Sequence, residues 1–236
     1  MKRDICIIVQ GPTVKDDVAT IKESWKGFDI IFSTWEDADK SSYEGDDIVI
    51  YNKYPMIKRK SPDGKEIIEK FPGNGNINYQ VFSTFKGIDL AKQLGYKRVL
   101  KWRNDFITNN GKGLISLFKK NHTNFYAILV PTNYPNNSCI WCGQSFYFTD
   151  FFMEGDTDDM YNLFNFYSNG LPFAEHIITQ RCYELKLTDN INFICKDLTA
   201  DINIYWKKHN YWLTDNRASN KHYHNHLTLG WQNLQI

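Results

Sequence analysis

The stretch DICIIVQGP, Asp4 to Pro12, decides how the rest of the chain is read. Ile5 to Val9 are apolar without alternation, the pattern of a strand covered on both faces, as in parallel sheets. Gln10-Gly11-Pro12 ends it abruptly. Downstream, Asp16–Trp25 places Val18, Ile21 and Trp25 at helical spacing, Phe28–Trp35 is strand-like again, and Asp46–Tyr51 (DDIVIY) reads as a third strand. Strand, helix, strand is the rhythm of an α/β fold with a mostly parallel central sheet flanked by helices, Rossmann-like in outline.

Farther along, Asn52–Gly75 is rich in Lys, Pro and Gly and reads as a long loop or lid with one helical turn. Asn78–Leu94 is a helix with Val81, Phe82, Phe85, Ile88 and Ala91 on one face and Gly95 as its C-cap. Lys97–Trp102 is the next strand and runs into Arg103-Asn104-Asp105. A short helix at Leu114–Lys120 and strands at Phe125–Val130 and Gln144–Thr149 follow. Helices at Asp156–Tyr167 and Ala174–Leu185 precede a strand at Ile191–Cys195. No repeat or linker divides the chain, so a single domain over residues 1–236 is expected.

Composition narrows the function classes. With 42% hydrophobic residues, the 236-residue chain has the apolar content of a folded globular protein. Lys+Arg 28 against Asp+Glu 27 gives no basic surplus, which argues against a nucleic-acid partner. No apolar run approaches the ~18 residues of a transmembrane segment. The opening MKRDICIIVQGP lacks the long apolar region and cleavage site of a signal peptide, so a cytoplasmic protein is expected. Five scattered cysteines suit reduced thiols, and Cys139-Ile140-Trp141-Cys142 lacks the second pair that a zinc ribbon needs. The 7 Trp, 14 Tyr and 16 Phe are either core or platforms for flat ligands.

Ligands of open α/β sheets bind outside the carboxyl ends of the strands. Those ends carry Gln10-Gly11-Pro12, Ser33-Thr34-Trp35 and Arg103-Asn104-Asp105. An acidic residue directly after a buried strand suits a hard cation such as Mn²⁺ or Mg²⁺, which needs only one or two carboxylates when phosphates complete its shell; Asp105 is that residue. Arg103 beside it pairs either with a diphosphate or with Asp105 itself. In the segment NGNINYQ, Asn76, Asn78 and Gln80 stand before and within the long helix, placed to receive a polar ligand or to cap the helix. His222, His224 and His226 alternate, so a strand would put them on one face. Trp35, Tyr79, Trp102 and Trp141 are the rings nearest these positions in sequence.

These residues, in this order, resemble the WavE-type lipopolysaccharide-synthesis family. The resemblance is carried by Val9–Pro12, Ser33–Trp35, the helix positions Asn76, Asn78, Gln80, Ser83, Thr84 and Gly87, and Leu100, Lys101, Arg103 and Asp105. It implies a GT-A-like, metal-dependent glycosyltransferase, with a nucleotide-sugar-binding half at 1–106 and an acceptor-binding half at 107–236. The implied partners are a nucleotide-sugar donor and a glycan or lipopolysaccharide-type acceptor. The donor site comprises Gln10, Gly11, Pro12, Ser33, Thr34, Trp35, Asn76, Asn78, Gln80, Arg103 and Trp141. Asp105 and His224 are the implied metal ligands, with Mn²⁺ or Mg²⁺ as the cofactor. Glu175, opening a helix after Leu171-Pro172-Phe173, is the implied catalytic base. Arg103-Asn104-Asp105 supplies one carboxylate where the usual GT-A motif, D-x-D, has two. Two other readings stay open: a sugar nucleotidyltransferase, for which Gly11-Pro12-Thr13-Val14-Lys15 is a poor phosphate loop, and a non-catalytic carbohydrate-binding protein.

Overall fold

The structure is a computed structural model describing residues 4–12, 15–45, 47–73, 76–125, 130–131, 146–147, 152–167, 174–194 and 197–212. Its first strand, β1 (Ile5–Gln10), is buried at every position, as the unbroken apolar run requires. Helix α1 (Lys15–Ser24) leads to β2 (Asp29–Trp35) and then β3 (Ile48–Asn52). Helix α2 (Ile77–Gln93) returns the chain to β6 (Arg98–Arg103) on the other side of β1. These four strands are parallel, with Gln10 in register with both Ser33 and Arg103.

The segment between β3 and α2 corrects the sequence expectation. In place of a long loop with one helical turn it forms a hairpin of β4 (Met56–Lys60) and β5 (Glu66–Lys70). Ser61-Pro62-Asp63-Gly64 turns it, with the Gly64 N–H donating to the Ser61 carbonyl at 2.9 Å. Proline second and glycine fourth is the signature of a type I turn.

Beyond β6 come β7 (Phe106–Thr108), α3 (Gly111–Leu117), β8 (Thr123–Phe125), and the short strands β9 (Val130–Pro131) and β10 (Phe146–Tyr147). Then follow β11 (Phe152–Asp156), α4 (Thr157–Phe164), α5 (Ala174–Glu184), β12 (Ile191–Phe193), β13 (Ile204–Trp206) and β14 (Tyr211–Trp212). The central sheet has the order β12-β8-β11-β6-β1-β2-β3, and β11 runs antiparallel between β6 and β8. Three strands, β14-β13-β7, form a small second sheet just past β6. The strands β7, β11 and β13 have no counterpart in the sequence reading; each is short, and β11 (FMEGD) carries a Glu and a Gly where apolar alternation was sought.

Helices cover both faces of the sheet. On one, α2 lies so close to β1 that a Cβ at Gly87 would stand 2.2 Å from Ile8 Cγ2. On the other, Trp25 packs edge-on against Trp102 with ring centroids 4.9 Å apart. Trp102 is therefore core rather than a ligand platform, its indole N–H donating to the Phe106 carbonyl at 2.9 Å. Glu154 of β11 is buried and gripped by Arg98 through both carboxylate oxygens, while Asn124 donates to it at 2.7 Å. Burial pushes the Glu154 carboxyl up, and Arg98 and Asn124 only partly counter it.

Two substitutions test this packing. Gly87→Ala gains about 1 kcal/mol of helix propensity but forces overpacking worth about 1–3 kcal/mol. Because the clash lies against a β-branched core residue, the net effect expected is a lower urea midpoint. Glu154→Ala leaves Arg98 without its partner. It is expected to cost about 3 kcal/mol, the low end for a broken buried pair because Arg98 keeps some solvent contact.

Candidate active site

The carboxyl ends of β1, β2 and β6 meet at one edge. The Gly11 N–H donates to the Ser33 carbonyl at 3.2 Å, and the Asn104 N–H to the Gln10 carbonyl at 3.3 Å. The Asn104 side-chain amide also donates to the Pro12 carbonyl. Gly11 has φ +110, and a Cβ there would sit 2.9 Å from Asn104 Oδ1. Both the backbone conformation and the close approach exclude a side chain.

Behind this edge lies a buried polar chain. Ser83 of α2 donates to Gln10 Oε1 at 3.2 Å and shares its hydroxyl with the Tyr79 carbonyl at 2.8 Å. Ser33 donates to the Ser83 carbonyl at 2.6 Å, and Asn52 donates to Ser33 Oγ at 2.9 Å and to the Thr34 carbonyl at 2.8 Å. Gln10 and Ser33 thus have internal partners, and their first effect is to fix α2 over the strand ends. The buried Thr34 hydroxyl and Gln80 Oε1 have no protein partner. Asn76 occupies the N-cap position of α2 at φ 62 but makes no capping hydrogen bond with its side chain, and Asn78 is fully buried.

Trp35 is only 4% exposed. Tyr54 stacks on it at 4.5 Å and 9°, and Phe82 lies near-parallel at 6.5 Å. Packed against both rings, Trp35 has little of its own ring face left for a ligand. Lys70 caps the pile, its ammonium 3.5 Å from the Tyr54 ring centroid. Burial, and then the hydrogen bond to Asp37, push the Tyr54 hydroxyl up to about 12, so it stays a donor to that carboxylate.

Asp105 sits in the tight link between β6 and β7. Arg103 binds it in a fork, Nε to Oδ1 at 2.9 Å and Nη2 to Oδ2 at 2.8 Å, and Trp206 Nε1 donates to Oδ2 at 3.0 Å. Its carbonyl accepts from the Lys207 N–H at 2.9 Å, and Lys207 Nζ reaches Asp17 Oδ1 at 2.6 Å. Burial alone would raise the Asp105 carboxyl; the Arg103 fork and Trp206 outweigh it and hold the group below the usual carboxylate range. Arg103 and Asp105 therefore form the mutual pair that the sequence left as one of two choices. On the same sheet face, one pleat back, Lys101 is fully buried.

A carboxylate has about four acceptor directions. Arg103 and Trp206 take three of these, and the Asp105 backbone N–H also favours the ionised carboxylate, which leaves at most one. Asp105 can therefore give a divalent cation at most a single contact, the rest of the shell coming from substrate oxygens or other residues. Among the described residues no group of three His, Cys, Asp or Glu side chains is placed to hold a metal. Trp141, His222, His224, His226 and the Cys139–Cys142 motif lie outside the described residues, as does the side chain of Glu175, whose backbone is in the first turn of α5. Trp206, Lys207 and Asp17 carry no motif; only the folded chain brings them to Asp105.

A Rossmann-like α/β sheet with polar residues gathered at its strand ends defines a ligand-binding class of fold. Within it, the chain belongs to the WavE lipopolysaccharide synthesis family, which it matches over residues 5–227. No curated protein sequence matches it. Solved structures similar to it include a protein described as a glucose-1-phosphate thymidylyltransferase from Bacillus anthracis, in complex with sucrose. That likeness has 12% identity and a TM-score of 0.44, and covers 80% of this chain and 85% of that one. A second is the galactosyltransferase LgtC with donor and acceptor sugar analogs, at 7% identity and a TM-score of 0.44, covering 80% and 72%.

The clamp on Asp105 can be tested by titration. Its depressed folded value means that its stabilising contribution is present above the unfolded value, near 3.8, and is lost as pH falls through the folded value. Asp105→Asn is expected to remove that part of the acid-limb loss in urea unfolding. Trp206→Phe keeps a ring against Phe106 but deletes the indole donor, so the Asp105 carboxyl should titrate higher by NMR. An unchanged Asp105 titration in that variant would show that the indole contact does not matter.

Proposed function

We propose that the protein is a glycosyltransferase that moves a sugar from a nucleotide-diphosphate donor to a glycan or lipopolysaccharide-type acceptor, using Mn²⁺ or Mg²⁺. The observation that carries this reading is an ionised carboxylate, Asp105, beside a forked guanidinium at the carboxyl end of the central strand β6, in a chain of a lipopolysaccharide-synthesis family. The donor lies across the strand ends, its base near Gln10-Gly11-Pro12 and Ser33-Thr34-Trp35. Asn76 is the exposed residue on the helix side, Asn78 being fully buried, and a sugar contact is assigned to Trp141.

Arg103 supplies positive charge to the diphosphate, exchanging one fork of Asp105 for phosphate oxygens of matching geometry. Asp105 and His224 would hold the cation, which supplies charge neutralisation of the departing diphosphate. Glu175 takes the acceptor hydroxyl proton as that oxygen bonds to the anomeric carbon and the bond from that carbon to the diphosphate breaks. The free thiols Cys6 and Cys182 suit action in the reducing cytoplasm.

The test is a thermal-shift screen of nucleoside diphosphates and nucleotide sugars with and without Mn²⁺. Manganese-dependent stabilisation by at least one of them is expected, and Asp105→Asn should abolish the manganese dependence. Glu175→Gln should leave donor binding intact and lower turnover by about 10²-fold or more. Absence of any nucleotide response removes the reading in favour of a carbohydrate-binding protein. Pyrophosphate release from a nucleoside triphosphate and a sugar phosphate would favour a nucleotidyltransferase instead.

A further inference from the structure

We propose that the β4–β5 hairpin docks on the anionic surface of a lipid bilayer. The register of the two strands places Met56, Lys58 and Lys60 on one face with Glu66, Ile68 and Lys70, and all six are exposed. Met56 is 54% exposed and Ile68 67%, as diagonal neighbours between lysines. The hairpin forms a sheet of its own, with no third strand among the described residues.

Charge is concentrated here as well. From Lys53 to Lys70 six cationic side chains face three carboxylates, whereas the whole chain carries a net charge of only +1. The carboxylates are already engaged, Glu66 by Lys58 at 2.7 Å, Glu69 by Arg59 at 2.5 Å and Asp63 by Lys65 at 3.1 Å. Among the described residues Lys53 and Lys60 have no ion-pair partner.

An acidic protein or a nucleic acid would answer the lysines but leave Met56 and Ile68 in water. A second copy would bring like charges together. A bilayer of anionic lipids answers both features: phosphates meet the ammonium groups, and the apolar side chains enter the headgroup boundary beside the lysine stems. Among the described residues no helix is long and apolar enough to cross a membrane, so this docking is peripheral. The stem of the hairpin joins the strand-end edge through Lys70, Tyr54 and Trp35. Given the transfer reaction proposed above, docking holds that edge near an acceptor carried on lipid.

The test is co-sedimentation of the full chain with vesicles of phosphatidylcholine alone or with one-third phosphatidylglycerol. Binding to the anionic vesicles alone is expected, weakening as salt is raised. Lys58→Glu with Lys60→Glu should lower the partition coefficient on the order of tenfold or more, and Met56→Ser with Ile68→Ser should lower it independently. Circular dichroism and any nucleotide-induced thermal shift should be unchanged in both variants, which separates failed docking from failure of the transfer reading. The proposal is overturned if the wild-type chain does not bind anionic vesicles, or if both double variants bind as it does. It is equally overturned if the variants change only the mass of the free protein, which would make the hairpin a self-association surface.

Discussion

The close seat of α2 on β1 is the constraint from which the candidate site follows. With no side chain at Gly87, the helix comes within contact distance of Ile8, and one turn earlier the Ser83 hydroxyl reaches Gln10 while the Ser83 carbonyl accepts from the Ser33 hydroxyl. A larger residue at 87 would lift the helix and stretch those hydrogen bonds together. The three parallel strand ends are joined to each other by Gly11, Ser33 and Asn104, and to the helix by Ser83. Position at the edge is therefore shared among backbone groups and the side chains of Asn104, Ser83 and Ser33.

Two kinds of polar residue are thereby separated at one sheet edge. Gln10, Ser33 and Asn52 spend their hydrogen bonds inside the protein, where an unsatisfied group would cost about 1–3 kcal/mol. Arg103 and Asp105 are only partly buried and satisfy one another. A diphosphate can compete for that guanidinium because its oxygens offer the same fork geometry. The internal pair keeps both charges ordered, and in the proposed reaction one arm of the Arg103 fork would turn to the diphosphate.

Much of this was legible beforehand. The apolar run at Ile5–Val9, the helical spacing of Val81, Ile88 and Ala91, and the position of Asp105 after a buried strand each follow from local pattern. The Rossmann-like order was readable for the same reason, since each early element has its own period and punctuation. The hairpin is hidden because Pro and Gly punctuation marks a loop and a hairpin turn alike, although Ser61-Pro62-Asp63-Gly64 holds the deciding signal. The sequence shows the place of Trp35 in the chain but not that Tyr54 and Phe82 pack near-parallel to it. The Trp206 contact could not be read at all. An indole 101 residues from its carboxylate leaves no spacing to detect, and β13, which delivers it, is three residues long.

That separation orders events during synthesis. The parallel core of β1, β2, β3 and β6, and Arg103 with Asp105, exist in the nascent chain long before Trp206 does. At about 5–20 residues per second, roughly 5–20 s pass between the emergence of the carboxylate and that of the indole that completes its hold. During that interval the edge has its charges but not its second anchor. Any chain cut short before β13 would keep the Arg103 fork in its sequence and lack the Trp206 hold on Asp105.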